Sequence, residues 1–433
     1  MLLAAVCLLA FAPAYRAGTT NWDDDVYLAS PGVTHISAAT FTSFVLGNYH
    51  PLTLLSFAID LQLFGRNAAE LHAVNVVLHA ITAILVFLLI QQLTALPFGS
   101  FAAALIWAIH PLRVESVVWI AERKDVLCAL FFTAALLAYV RRGIALTFVL
   151  FLLALLSKGM AVSLPLAMLA IDYLQRRKAI VEKLPFFAMS VVFGVVGLYA
   201  QRGPGANPNL PGFSFTIAQK FALAADAIVL YLGKLLVPVN LSAFYAYPKS
   251  LTWIDWLSLL FVAIVIAIVA WTAKATRSIA FAFLFFAVTI AVVLPVVSIG
   301  RTIAADRYTY IPSIGFAYLV ALIARPRGWA IVAFIAAVFG VMTFQRSRAW
   351  HDSVTLWTSV IEADPEIALA HNSRGAALAV RGDFADAARD FDEAIALEPC
   401  YVTALRNRWL VAQKTGDASA AAAARDKLSR CQK

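Results

Sequence analysis

Charged side chains are scarce in this sequence, and their scarcity excludes an ordinary soluble protein. Only 14% of the 433 residues are charged, 62% are hydrophobic, and the mean hydropathy is +0.81. Soluble domains carry about 25% charged residues. Because many apolar stretches approach the roughly 20 residues that a membrane-spanning helix needs, the sequence predicts an all-α, polytopic membrane protein.

Cysteine is scarce as well, with only Cys7, Cys128, Cys400 and Cys431. None of them stands at CxxC or metal-ligand spacing, so they indicate neither a zinc site nor a redox motif. The sequence leaves open whether Cys400 and Cys431 pair. The net charge of +9 does not indicate a nucleic-acid partner, because Lys and Arg lie mainly in short loops between apolar segments, as is typical of cytoplasmic loops.

The apolar segments are the candidate membrane spans. They lie near 1–17, 71–93, 99–119, 125–140, 143–160, 161–174, 184–201, 218–238, 252–272, 279–299, 308–324 and 329–345. The first is slightly short for a span, and it lacks the basic n-region of a signal peptide, so we interpret it as a span. Basic clusters after 140, 175, 273 and 324 are expected on the cytoplasmic side.

The positions of those basic clusters require an even number of crossings between each pair of them. The segment 213–238 breaks this parity and carries Lys220, Asp226 and Lys234. We therefore expect it to be re-entrant or to lie along the outer face, which leaves about eleven crossings. The loops 18–70, 201–250 and 300–307 would then face outside, together with everything after about 346.

Three consecutive acids follow the first span, in the stretch "TTNWDDDVYL". Asp23, Asp24 and Asp25 can be read as a solvated loop or a helix N-cap. They can also be read as an acid/base or cation-binding site at the membrane surface. The other rare charged residues of the chain converge on the same outer face, and charge near a bilayer is costly, so a functional site is the favoured interpretation.

The residues after about 346 change to an Ala-, Arg- and Asp-rich composition with helical periodicity. Small and aromatic residues there follow the 34-residue spacing of tetratricopeptide repeats, at Gly375, Gly382, Ala387, Phe391, Ala394 and Pro399. The sequence predicts a membrane domain over 1–346 and a C-terminal tetratricopeptide-repeat α-solenoid over 347–433, with about 2.5 repeats. Such repeats bind peptides or proteins, or only pack.

Several motifs now identify a family resemblance. "NWDDDVYL", "HPLTLLSFAIDLQLFG", "LHAVNVVLHA", "AIHPLRVESVVWIAERKDVL", "LLSKGMAVSLPLAMLAIDYL" and "DRYTYIPSIGF" occur in this order before the repeats. They resemble the transmembrane and tetratricopeptide-repeat O-mannosyltransferases and their bacterial relatives. That family implies a GT-C glycosyltransferase fold, a polyprenyl-phosphate sugar donor, and protein Ser or Thr hydroxyls as acceptors in the eukaryotic members.

The resemblance gives the acids a role, since GT-C enzymes keep an acidic pair in the first external loop. The matching pair is Asp24 and Asp25, with Asp23 as an additional neighbour. A carboxylate in reach of an acceptor hydroxyl can remove its proton as it attacks the sugar. We expect Asp24 to be the base and Asp25 its partner, or both to be ligands of a divalent cation. The sequence alone does not choose among the three acids.

The resemblance also implies cations that stabilise the leaving lipid phosphate. The candidates are Arg123 in "AERKD", Lys158 in "LLSKG" and Arg307 in "DRYTY". The alternative for each is snorkelling to lipid headgroups or pairing with a neighbouring acid such as Asp125 or Asp306.

Three further polar residues are candidates for a supporting role. His50 is expected to brace the site, whereas His110 and Glu115 either contact sugar hydroxyls or make structural hydrogen bonds. On the segment 71–93, His72, Asn75 and His79 share one helix face without an acid at ligand spacing. For these three residues we favour interhelical hydrogen bonds over a metal site.

The leading hypothesis is a membrane glycosyltransferase that moves a hexose, mannose by resemblance, from a polyprenyl-phosphate donor to an external acceptor. The same fold acting on a glycan or lipid acceptor is a second hypothesis, and a membrane-anchored repeat scaffold is a third. We expect a bacterial inner membrane location with the site and the repeats outside. Because repeats pack mainly on one another, removing residues after about 350 is predicted to spare donor hydrolysis.

Overall fold

The computed structural model describes residues 1–202, 215–296 and 302–431. The loops predicted to face outside at 201–250 and 300–307 therefore lie partly beyond the described residues. Within the described residues the chain is mostly helical and contains one small sheet of two antiparallel strands, β1 (Tyr245–Ala246) and β2 (Thr302–Ala304).

In the described part of the chain, seventeen α-helices precede the C-terminal segment that is predicted to form repeats and is called the repeats below. They are α1 Leu2–Ala10, α2 Asp24–Ala29, α3 Pro31–Thr34, α4 Ala38–Thr42, α5 Pro51–Phe64, α6 Ala68–Thr94, α7 Pro97–Ala108, α8 Val114–Val118, α9 Arg123–Val140, α10 Ile144–Ser157, α11 Leu164–Gln175, α12 Leu184–Arg202, α13 Ile217–Leu236, α14 Trp253–Thr272, α15 Arg277–Ile290, α16 Ile314–Ile323 and α17 Trp329–Arg348. Prolines at the first turn begin several of them, as Pro51 does for α5 and Pro97 for α7.

Among the described residues, four helical segments are long and apolar enough to cross a membrane: Ala68–Thr94, Val181–Arg202, Trp253–Thr272 and Pro326–Arg348. A fifth span results if Pro97–Ala108 and Pro111–Val118, which bend by 57° relative to each other, are counted together. These helices make the chain a multi-pass membrane protein. Their outer faces expose large apolar side chains, and α14 buries none of its residues, as expected for helices that contact lipid.

The predicted eleven crossings exceed this count, because several predicted spans are short helices. The apolar segments 143–160 and 161–174 are α10 and α11, with 14 and 12 residues, separated by a 3-10 turn at Gly159–Ser163. The first predicted span is interrupted after Ala10. α13, predicted to be re-entrant or interfacial, is a continuous 20-residue helix. The count of eleven therefore stays a prediction.

Helix α6 lies at the centre of the membrane domain and carries the polar residues predicted to bond between helices. His72 contacts the Gly18 carbonyl at 3.2 Å, and Asn75 donates to the Trp119 carbonyl at 3.3 Å. His79 is bonded to the Ala108 carbonyl at 2.8 Å. Of these three bonds, that of His79 joins two helices, α6 and α7, as predicted, whereas those of His72 and Asn75 hold the loop at Gly18 and the residue after α8.

The C-terminal residues form five amphipathic helices: α18 Ser353–Ala363, α19 Ala368–Arg381, α20 Phe384–Leu397, α21 Val402–Thr415 and α22 Ala418–Cys431. Consecutive helices pack as antiparallel hairpins, and Gly375 lets Phe391 approach its backbone so closely that a methyl group would meet the ring at 2.9 Å. Glycines with positive φ end α19 and α21. A disulfide joins Cys400 to Cys431 and closes the last hairpin.

Candidate active site

The three acids occupy the entrance to α2 and differ in their surroundings. Asp24 is 1% exposed, and both its carboxylate oxygens are occupied. Oδ2 accepts from the backbone N–H and hydroxyl of Thr20 at 2.8 and 2.9 Å, and Oδ1 accepts from the Ala121 N–H at 2.8 Å. Burial raises the pKa of Asp24 to about 6 despite these bonds. Asp24 therefore ties the acidic loop to the segment before α9.

Asp23 and Asp25 lie on either side of this fixed point. Asp25 is exposed at the start of α2 and makes no contact with the charged residues of the site among the residues that the structure describes. Asp23 is partly buried, and within the described ranges its carboxylate has no hydrogen-bond or ion-pair partner. Burial raises the pKa of Asp23, and the nearby Lys124 and Arg307 oppose that shift. Asp23 is thus the acid that faces the cations with a free carboxylate.

A buried charge cluster lies beside Asp23, and Glu122 is its centre. Lys124 and Lys158 each place Nζ 3.1 Å from Glu122, and Arg307 places Nε 3.4 Å from it. Burial opposes ionisation of Glu122, but the three cations hold its pKa well below its usual range. Lys158 also lies 2.5 Å from Asp125. Three cations therefore converge on Glu122 and stabilise its negative charge.

Glu115 holds one of these cations in place. It pairs with the Arg307 guanidinium and accepts the Arg307 backbone N–H at 2.9 Å. The guanidinium also lies over the Trp119 ring, 5.4 Å from its centroid. Both carboxylate oxygens of Glu115 are thus bonded to Arg307, which favours the structural alternative over contacts with sugar hydroxyls. These contacts fix the direction of the Arg307 guanidinium.

Arg123, predicted to bind the donor phosphate, is 0% exposed and its donors are occupied. It bonds Asp60 Oδ2 at 2.7 Å and the Leu71 carbonyl at 2.9 Å, and it also bonds Asn75. These contacts join α5, α6 and α9. The structure therefore favours a packing role for Arg123. This corresponds to the alternative given above, in which the cation pairs with an acid and does not bind the donor phosphate.

The two predicted histidines have different positions. His110 bonds the Leu235 carbonyl at 3.1 Å and accepts from the Leu112 N–H at 3.2 Å, which matches the structural alternative. His50 is 2% exposed, and its Nε2 atom has no hydrogen-bond partner among the described residues. Burial lowers the pKa of His50 to about 3, so its imidazole is neutral. His50 and Lys158 line the same cleft.

This cleft, called the donor cleft below, has a volume of about 250 Å³ and one apolar side. Its apolar wall includes Phe193, Gly194, Gly197 and Leu198 of α12. The space beside Gly194 and Gly197 is open, since a methyl group on either would meet nothing within 4 Å. An apolar groove that ends at an ammonium group has the chemistry of a lipid-phosphate site.

The first repeat hairpin contacts the acidic loop directly. The Asn21 backbone N–H donates to Ser353 Oγ at 2.9 Å, and the Asn21 side-chain amide donates to the Ser373 carbonyl at 2.8 Å. Trp357 Nε1 donates to Asn21 Oδ1 at 2.8 Å. Residues of the repeats therefore bond the backbone N–H, the side-chain N–H and the side-chain oxygen of Asn21, which lies two positions before Asp23.

Trp22 extends this contact with aromatic packing. Its ring stacks on Trp119 with centroids 4.4 Å apart and approaches Trp357 at 5.0 Å and Trp350 at 6.3 Å. The acidic loop is consequently held between the segment before α9 and the repeats. The expectation that the repeats are separable from the site conflicts with this packing.

The predicted divalent-cation site does not fit the residues at the loop. The two Asp24 oxygens accept three protein hydrogen bonds, and Asp25 is exposed on α2. Over the ranges 1–202, 215–296 and 302–431, no group of three or more His, Cys, Asp or Glu residues is arranged to hold a metal ion. We derive no catalytic step from a metal.

Sequence reasoning missed three participants, Lys124, Glu122 and Asn21. The "AERKD" motif drew attention to Arg123, whereas its neighbours carry the charge cluster. The only signal for Lys124 was its place among the rare charged residues of the outer face. No signal in the sequence indicates that Asn21 bonds residues more than 330 positions away, because such a contact depends on the packing of two domains.

No family model matches this chain. A protein O-mannosyl-transferase of Caenorhabditis elegans is 27% identical over 375 residues, which cover 82% of this chain and 54% of that protein. Protein O-mannosyl-transferase TMTC1 of Mus musculus is 38% identical over 95 residues, covering 22% of this chain and 10% of the relative. This chain thus spans about half of the nematode protein and less of the mouse protein.

A solved structure also aligns with most of the chain. ArnT from Cupriavidus metallidurans, bound to undecaprenyl phosphate, is 15% identical, with a TM-score of 0.43 over 92% of this chain and 76% of its own. At that score the likeness does not establish a shared fold.

Proposed function

We propose that this chain, a relative of the TMTC protein O-mannosyl-transferases, is an integral membrane glycosyltransferase that moves a hexose from a polyprenyl-phosphate donor to a hydroxyl acceptor outside the membrane. Mannose is the sugar that the names of the relatives favour, and protein Ser or Thr is the acceptor. The proposal includes a GT-C fold and a bacterial inner membrane location.

The observation that carries this proposal is the apolar donor cleft that ends at Lys158, a member of the same charge cluster as Lys124 and Arg307. A polyprenyl chain fits against the α12 wall, and its phosphate fits near Lys158 and the neutral His50. Lys124 and Arg307 lie with Lys158 around Glu122. Asp23 lies near two of these cations, Lys124 and Arg307. A repeat scaffold without activity would need neither the cations nor the acid.

In the proposed reaction the acceptor oxygen attacks the anomeric carbon while the bond from that carbon to the phosphate oxygen breaks. The electron pair of the broken bond goes to the lipid phosphate, whose added charge Lys124, Lys158 and Arg307 stabilise. The acceptor proton goes to Asp23, which we assign as the base because Asp24 is fully bonded and Asp25 is exposed. Asp24 is assigned as the residue that positions the loop.

The donor cleft can be tested by filling it. Replacing Gly197 with Leu places a side chain into the open groove and should raise KM for a synthetic polyprenyl-phosphate mannose at least about tenfold, because one blocked apolar contact surface of about 60 Å² is worth roughly 1.5 kcal/mol. The measurement is steady-state sugar release and transfer by the purified protein in lipid vesicles.

The matched control for that test is Gly340→Leu on α17. Gly340 also has nothing within 4 Å of an added methyl group, but it does not line the cleft. We expect Gly340→Leu to resemble the unmodified protein. Equal KM values for both variants would contradict the assignment of the donor to this cleft. If the protein released no sugar with any acceptor, the proposal that it is a glycosyltransferase would be wrong. Transfer to a glycan or lipid only would retain the enzyme and change its acceptor.

The proposed topology places Arg141 in the cytoplasm and Lys249 outside, and cysteine labelling can test it. The background is low, because Cys7 and Cys128 are buried and Cys400 is bonded to Cys431. The disulfide also favours an oxidising compartment for the repeats. An impermeant thiol reagent on intact cells should label Lys249→Cys but not Arg141→Cys, which should react only after permeabilisation. The reverse pattern would invert the topology.

A further inference from the structure

A second cleft lies between the membrane domain and the first repeat helix, on the other side of the small sheet from the donor cleft. Its volume is about 890 Å³, and α13, β1, β2 and α18 line it. Ile303 of β2 lies in this second cleft, whereas its neighbour Thr302 lies in the donor cleft. Successive side chains of a strand point to opposite faces. The sheet is therefore a wall between the two clefts.

Strand β1 lines the second cleft with both of its residues, Tyr245 and Ala246. Its main-chain edge is largely used within the protein, because the N–H and C=O of Phe244 bond Ser242 Oγ and those of Tyr245 bond Thr302 Oγ1. An extended peptide in this cleft is therefore expected to lie along the face of the strand, with its side chains in neighbouring pockets.

Two residues that line the second cleft contact neighbours of the proposed catalytic residues. Phe244 lies 6.5 Å from Trp22, measured between ring centroids, and Trp22 directly precedes Asp23. The Tyr245 hydroxyl donates to Asp306 at 2.8 Å, and Asp306 directly precedes Arg307 of the charge cluster. A segment bound in the second cleft therefore lies one layer of side chains away from the acidic loop and from Arg307.

The charges around the second cleft are unequal. Asp226, Glu362 and Asp364 line it with one cation, Arg346. We propose that the second cleft binds the acceptor as an extended polypeptide segment that carries a basic side chain near its Ser or Thr. This inference rests on the proposed glycosyltransferase function and adds the acceptor's charge and its path to the site.

A charge reversal at the second cleft tests this inference. In Glu362→Lys, peptides with Lys beside the Ser should lose about fivefold in kcat/KM, because an attraction between exposed charges becomes a repulsion of similar size. Peptides with Glu in place of Lys should gain by a similar factor. Misfolding cannot produce this exchange of preference. The matched control is Glu393→Lys on α20, which is exposed and outside the cleft.

Donor hydrolysis in water, measured in the same samples, separates the inference from the function it rests on. We expect hydrolysis to be equal in Glu362→Lys, Glu393→Lys and the unmodified protein. Unchanged peptide preference in Glu362→Lys with normal hydrolysis would overturn the second cleft as the acceptor site and leave the glycosyltransferase standing. Transfer to glycans but to no peptide would overturn it as well.

Discussion

Replacing Asp23 with Asn should lower the turnover of sugar transfer by about 10²- to 10⁴-fold, the usual contribution of a general base. The amide has the shape of the carboxylate but cannot accept the hydroxyl proton. Donor binding should be retained, because the cations Lys124, Lys158 and Arg307 stay in place and lose a nearby negative charge. The measurement is transfer from a synthetic polyprenyl-phosphate mannose, with donor binding followed separately.

The neighbouring acids supply matched controls for Asp23→Asn. Asp25→Asn changes an exposed carboxylate two residues away and should stay near the unmodified rate. Asp24→Asn places an amide N–H against the donors of Thr20 or Ala121, so it should lower activity together with thermal stability. A normal rate in Asp23→Asn, combined with a folded but inactive Asp24→Asn, would return the role of base to Asp24.

The pH dependence of the reaction follows from the same assignment. Burial raises the pKa of Asp23 above its ordinary value, and a base acts only when ionised. Activity should therefore fall as the pH drops through that raised pKa, on a limb above the range of an exposed Asp. Profiles of kcat/KM against pH for the unmodified protein and Asp23→Asn test this expectation. The limb should be missing from the residual activity of the variant.

The sequence singles out the residues of the candidate site but does not assign their roles. Three acids after an apolar segment, and cations such as Lys158 and Arg307, could be singled out because charge is costly in a membrane protein. Their roles depend on which oxygens are already bonded, as for Asp24, and on which guanidinium is saturated, as for Arg123. Those facts come from contacts between segments about 50 to 100 positions apart.

For the fold as well, the sequence predicts some features and not others. Apolar length and the repeat period predicted a helical membrane domain followed by amphipathic hairpins, and helices α6, α12, α14 and α17 meet the length criterion. Hydropathy does not reveal where an apolar stretch breaks, as at Gly159–Ser163. It also carries no information on which domains touch. The contact of Asn21 with the repeats therefore changes what the repeats are expected to do.

Ending the chain after Arg348 should abolish donor hydrolysis as well as transfer, contrary to what repeat architecture alone predicts. The truncation removes Ser353, Trp357 and Ser373, which bond Asn21 on three sides. Three such bonds contribute about 3 kcal/mol together. Without them the loop of Asp23 loses its position, and a displacement of about 1 Å costs about 10²-fold in rate. Sugar release in vesicles is the measurement.

A chain that ends after Leu397 is the matched control, because it keeps α18, α19 and α20 and removes only the last hairpin. It should hydrolyse the donor at a rate close to that of the full chain. Asn21→Ala removes the two side-chain contacts without changing chain length and should cause about a thirtyfold loss on its own, from about 2 kcal/mol. If the chain ending at Arg348 inserts, folds and hydrolyses the donor normally, the repeats do not hold the acidic loop in its active position.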